Sequence, residues 1–182
     1  TANQFPVDTH ACICHNDFHG GNQLLDSLSN VWLIDFATVK ERGHSLDDLT
    51  KLLVSCLIVY TEDDPADESG FESLCRRLAG VPDLSTAFAC ATDASPTIQR
   101  LEAVVKAMWS HICAMDPGGD GAAVVWALLR YGVRFTGYPQ LTPGQKRRSL
   151  YLATACAMRL HAAPFPFSRS WLDGIAVQWQ ES

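Results

Sequence analysis

Short apolar blocks at the front of the chain give way to long helical stripes behind them. Three runs, Ala11 to Cys14, Gln23 to Leu25 and Val31 to Ile34, have the length of strands. The second and third flank Asp26-Ser27-Leu28-Ser29-Asn30, a cluster of turn formers, and predict a β-hairpin with a longer loop. From residue 45 the period becomes helical. Leu46, Leu49, Leu52, Leu53, Cys56, Leu57 and Tyr60 share one stripe, while Val54, Ile58 and Val59 lie off it. A helix apolar nearly all round belongs in the core.

The later helices carry recognisable ends. Ser95-Pro96 supplies an N-cap and a proline at the first helical position. The stripe Ile98, Leu101, Val105, Met108, Ile112 follows, and Pro117-Gly118-Gly119 stops it. Ala122 to Phe135 reads as a further helix ending near Gly137 and Pro139. Thr142-Pro143-Gly144-Gln145 is a capping box that opens a helix running to about His161. Shorter helices are expected around Phe71 to Leu78, Leu84 to Cys90 and Arg169 to Trp179. The pattern predicts an α+β fold: a β-hairpin layer (residues 1–44) at the front of a mostly helical body (residues 45–182), together one lobe.

Composition narrows the function classes. A chain of 182 residues that is 47% apolar can bury a real core. Its net charge of −6, without a basic stripe, argues against nucleic acid. No run of eighteen apolar residues offers a membrane span. Seven cysteines without framework spacing point to reduced thiols and a cytoplasmic setting. Charged residues make up 19%, below the usual quarter, which predicts that a partner covers part of the surface.

The chemistry concentrates in His15-Asn16-Asp17-Phe18-His19-Gly20-Gly21-Asn22, followed thirteen residues after Asn22 by Asp35 at the end of an apolar strand. Phosphoryl transfer from ATP is mostly positioning and charge neutralisation. One carboxylate must orient and deprotonate the attacking hydroxyl, and oxygen ligands must hold Mg2+ against the phosphates. Asp17 has the position of the base, with Asn22 and Asp35 as metal ligands. With each residue type at roughly one position in twenty, four fixed positions arise by chance in on the order of one chain per thousand. Gly20-Gly21 is read as loop flexibility.

His15 to Asn22 resembles the catalytic loop of the aminoglycoside phosphotransferase and choline kinase superfamily. Asn16 agrees with the choline kinase form; His19 and Gly21 agree with the aminoglycoside form. Val31 to Thr38, followed by Gly43-His44-Ser45-Leu46-Asp47-Asp48-Leu49, is closer to kinase-like domains of large bacterial conflict or signalling proteins. The resemblance implies the mostly helical carboxy-terminal lobe of a kinase-like fold, with ATP and Mg2+ as cofactors. It implies transfer of the γ-phosphate to a hydroxyl of a small molecule bound by the helical part. It also implies that His15 braces the loop and that Asp48, opening the central helix, bonds to the loop backbone. His19 is placed to approach a phosphate or to pack within the loop. Such kinases add an amino-terminal lobe with a glycine-rich loop and a phosphate-binding lysine, for which there is no room ahead of Thr1. The chain is therefore expected to need a second lobe or a partner chain. Two alternatives follow: an inactive kinase-like module docked to a partner, or a signalling domain with a protein acceptor.

Plainer readings compete at other positions. Cys12 and Cys14, two apart on one strand face, fit buried apolar thiols better than a zinc site. Ser45 is expected to cap the central helix, with Asp48 favoured by its positive end. Trp109, Trp126, Tyr131, Trp171 and Trp179 read as packing. Glu62 to Glu68 and Lys146-Arg147-Arg148 read as solvated surface.

Overall fold

The computed structural model describes residues 11–62, 64–80, 94–115 and 121–162. Four short strands come first: β1 (Ala11–Cys14), β2 (Gln23–Leu25), β3 (Val31–Leu33) and β4 (Lys40–His44). Five helices follow: α1 (Asp47–Ile58), α2 (Glu68–Gly80), α3 (Pro96–Ala114), α4 (Ala122–Thr136) and α5 (Pro143–Ala162). The architecture is α+β and mostly helical, as the periodicity predicts. Among the described residues no helix is long and apolar enough to cross a membrane. The helices expected at 84–90 and 169–179 lie outside the described residues, as do Trp171 and Trp179.

The hairpin forms where the turn residues place it. β2 and β3 pair antiparallel, Gln23 opposite Leu33 and Leu25 opposite Val31. Asp26 organises the turn: its carboxylate accepts from the Leu28 and Asn30 amides, the Asn30 side chain and the Trp32 indole. The Asn30 side chain first, then Trp32, hold that carboxyl at about 2, below the ordinary aspartate value. β4 is an element that the apolar pattern does not show. It pairs antiparallel with β1, Ala11 opposite His44, with the register shifting between Cys12 and Cys14. Gly43 is required there because a Cβ would lie 2.5 Å from Cys14 Sγ. The two thiols do share a face, their sulfurs 3.5 Å apart, but only Cys14 is buried and Cys12 is exposed.

The helical core closes around α1. Leu53, Val54, Leu57 and Ile58 are fully buried and pack with Phe71, Leu74 and Leu78 of α2, Val105 and Ile112 of α3, and Leu128 of α4. Each such side chain contributes about 1.5–3 kcal/mol through loss of apolar surface to water. Trp109, Trp126 and Tyr131 pack in or against this core. Gly132 lets α4 approach α5 closely, since a Cβ there would meet the Ala153 backbone at 3.1 Å. Ion pairs tie helix to helix: Arg77 of α2 with buried Glu102 of α3, and Arg130 of α4 with Asp47 of α1.

Helix ends follow the sequence at some positions and depart from it at others. Ser95 Oγ accepts from the Ile98 amide, and Thr142 and Gln145 bond reciprocally as a capping box. Gln145 also donates to the Val59 carbonyl, fastening α5 to the end of α1. Ser45, however, does not cap α1. Leu46 holds that position without a side-chain bond, and Ser45 Oγ is buried without a partner. The two surfaces expected to be solvated are so only in part: Glu62, Asp64, Ala66 and Arg147 are exposed, while others in them pack. Arg148 is buried against the Phe71 ring, and Glu68 accepts from Tyr151 and pairs with Arg147.

Candidate functional site

The site is a loop held from both sides. Leaving β1, the chain turns at Asn16, whose left-handed backbone (φ 62°) reverses it into Asp17. That conformation is costly for a side chain other than glycine and persists only where neighbours enforce it. Asp48, in the first turn of α1, enforces it: its two carboxylate oxygens accept the amides of His15 at 2.7 Å and Asn16 at 2.8 Å. His15 is buried, and its Nε2 lies 2.8 Å from the Ile34 carbonyl. A carbonyl only accepts, so the ring proton sits on Nε2 and the buried Nδ1 is left without a partner. Thr38 donates to the His15 carbonyl, and the ring of Phe36 lies 5.1 Å from that of His15. The segment after the hairpin, with its 3-10 turn at Phe36–Thr38, is thus fastened to the loop ahead of it.

Beyond Asp17 the chain makes a tight 3-10 turn at Gly20–Asn22. The glycines there serve close approach rather than flexibility. A Cβ on Gly20 would lie 3.0 Å from the Tyr60 ring, and one on Gly21 would lie 2.9 Å from His19. His19 Nδ1 and the Tyr60 hydroxyl both accept from the Gly21 amide. His19 therefore carries its proton on Nε2, which faces Asp17 Oδ2 at 3.5 Å. The histidine bonds within its own loop and is also about a third exposed, on the wall of the cleft below Asp17.

Asn22 is buried, and its amide nitrogen donates to both the Asp17 carbonyl and Asp17 Oδ2. Its backbone carbonyl accepts from Ile34, which brings Asp35 next in the chain to the same edge. Asp35 is exposed and itself left-handed, with φ 60° and ψ 63°. Among the described residues no hydrogen bond or ion pair reaches its carboxylate. A strained, unpartnered carboxylate suits a hard cation, and the Asn22 side chain offers an amide oxygen as a second donor. Those two oxygen donors fit Mg2+, which keeps several waters and takes its other ligands from phosphate. Among the described residues no group of three or more His, Cys, Asp or Glu side chains forms a self-sufficient metal site.

Lys51 of α1 is the residue that the sequence reading does not single out. It is 4% exposed, and its ammonium pairs with Asp17 Oδ1. Burial raises the Asp17 carboxyl, but Lys51, His19 and the Asn22 amide outweigh it and hold it below the ordinary aspartate value. The signal was present: a single lysine inside a helix apolar nearly all round needs a buried partner. Asp17, Lys51 and Tyr60 open onto a cleft of about 320 Å³ whose far wall is Phe135, Tyr138 and Leu141. Comparison of the chain with protein-family models, curated proteins and solved structures finds no match.

Proposed function

We propose that this chain is the catalytic, carboxy-terminal half of an aminoglycoside phosphotransferase-like kinase. It moves the γ-phosphoryl group of ATP to a hydroxyl of a small molecule. The observation that supports this most is the position of Asp17: an ionised carboxylate on a clamped loop, at the mouth of a cleft, bonded to Asn22. In this reading the acceptor hydroxyl lies in the cleft against Asp17. Its oxygen bonds to the γ-phosphorus as the bond from phosphorus to the β–γ bridging oxygen breaks. The electron pair leaves on ADP, and the hydroxyl proton passes to Asp17. A lowered pKa is no handicap, because the loose transition state asks the base chiefly to orient the hydroxyl. Asn22 and Asp35 would hold Mg2+, which neutralises phosphate charge when bound. His15 and Asp48 hold the loop and touch no reacting atom.

The second lobe, on the same polypeptide or a partner chain, would rest on the apolar surface of the hairpin. Leu24 and Trp32 on one of its sides, Leu25 and Val31 on the other, and Phe36 just after it are all more than half exposed. A patch of this kind usually marks an interaction surface. It equally favours a second reading, an inactive kinase-like module that only docks through this surface. Nucleotide binding separates the two. For a kinase, ATP with Mg2+ raises the melting temperature of the lobe pair, and neither does so alone. Asp17→Asn should then leave the fold intact and lower turnover at least about 100-fold. Turnover unchanged in that variant, or no Mg2+-dependent nucleotide binding, overturns the kinase reading.

A further inference from the structure

The cleft below Asp17 has a charge balance that selects among acceptors. Two of its wall residues carry formal charge, Asp17 and Lys51, and they are paired to each other. With His19 neutral, the wall sums to zero. Among the described residues no second carboxylate lines it. An ammonium compound entering such a cleft would lose its hydration without gaining an unpaired anion, which is strongly unfavourable. The remaining polar groups are the His19 ring, the hydroxyls of Tyr60 and Tyr138, the amide of Gln140, and the Ser55 hydroxyl, which already donates to the Lys51 carbonyl. These are uncharged donors and acceptors of the kind that read hydroxyl groups. The rings of Tyr60, Phe135 and Tyr138 add flat apolar faces. The volume, about 320 Å³, is at the small end of ligand sites.

We infer that the acceptor is an uncharged polyhydroxylated molecule of monosaccharide size, not an amine, and that Lys51 sets this choice by cancelling the charge of Asp17. Lys51 is a positioning residue, since it reaches the acceptor only through that carboxylate. The inference rests on the phosphotransferase reading of the same loop, but it is tested by binding and not by turnover.

The test is ligand titration of the full chain, followed by NMR shifts of cleft resonances. The probes are ribose, glucose and myo-inositol as neutral polyols, choline and kanamycin as cations, and glucose 6-phosphate as an anion. At least one neutral polyol should shift the Tyr60 and Tyr138 rings, and it should do so at lower concentration than either cation or the anion. Tighter binding of a cation or of the anion, or no polyol binding at all, overturns the inference. Lys51→Met leaves the cleft with one net negative charge and should tighten choline or kanamycin about tenfold. The double variant Asp17→Asn, Lys51→Met should return them to the starting affinity. Should Lys51→Met fail to fold, Asp17→Asn alone leaves a net positive cleft and should tighten glucose 6-phosphate about tenfold. Unchanged cation and anion affinities in the folded variants overturn the role of Lys51. A lobe pair that binds a polyol yet transfers no phosphate fails the phosphotransferase reading alone. One that phosphorylates kanamycin or choline upholds that reading and overturns this one.

Discussion

Asp48 stands outside the proposed chemistry, and yet the loop that carries Asp17 hangs from it. Each of its oxygens takes one backbone amide. Asp48→Asn keeps the size but turns one acceptor into a donor that faces an N–H. A hydrogen bond to a charged group contributes about 1.5–3 kcal/mol, so the variant should lose stability of that order. Thermal unfolding reads the loss, and faster exchange of the His15 and Asn16 amides locates it. Wild-type exchange in the variant would show that the clamp is dispensable. At this scale Asp17 and Asn22 could be picked out because the loop itself fixes their spacing, whereas the bracing by His15 and Asp48, 33 residues apart, was expected from the resemblance alone. Lys51 stood out only as a lone lysine in an apolar helix; its partner lies 34 residues away, and only the folded chain brings the two together.

Among elements, the capping box at the start of α5 and the β2–β3 turn were legible, since each is written in a few adjacent residues. β4 was not. Lys40-Glu41-Arg42-Gly43-His44 has no apolar alternation, and it is a strand because β1 lies beside it with room at Gly43. Ser45 misled for the opposite reason: a good local cap signal sits one residue ahead of the cap position, which Leu46 takes. The hairpin turn also carries a pH dependence. Asp26 titrates at about 2 when folded, against an ordinary 3.8. Its lowered value means that the stabilisation is complete above the unfolded pKa and disappears as pH falls through the folded one. An NMR titration should place the Asp26 midpoint near 2, with the Leu28 and Asn30 amides still protected at about pH 3. A midpoint at the ordinary value would show that the turn bonds do not persist in solution.

The molecule as a whole divides unevenly between a covered and an uncovered side. α1 is surrounded by helices, while the strands leave Leu25 of β2 70% and Ile13 of β1 75% exposed. The mostly helical α+β class could be read from periodicity. Which faces stay open could not, because an apolar residue looks the same in sequence whether a neighbour covers it or not. Leu25→Glu tests the open side. In the isolated chain it should change stability by no more than about 0.5 kcal/mol, as for other exposed positions, while reducing association with a second lobe or a second copy. A large loss of stability would mean that the face is already covered within this chain. Sedimentation and thermal unfolding of the same variant give both readings.

The strand order has one more consequence, for how the site is assembled. The β2–β3 hairpin lies wholly inside the loop closed by β1 and β4, like one bracket within another. Pairing β1 with β4 first would mean closing a long flexible segment. Zipping the inner hairpin first removes most of that slack, and closure entropy grows with the length left free. The inner pair therefore forms ahead of the outer one on the cheapest route. Residues added at the tip, Ser27 to Ser29, lengthen the loop that the inner pair closes, at a cost that grows only slowly with length. A reporter peptide grafted at that tip would leave the arrangement around Asp17 undisturbed.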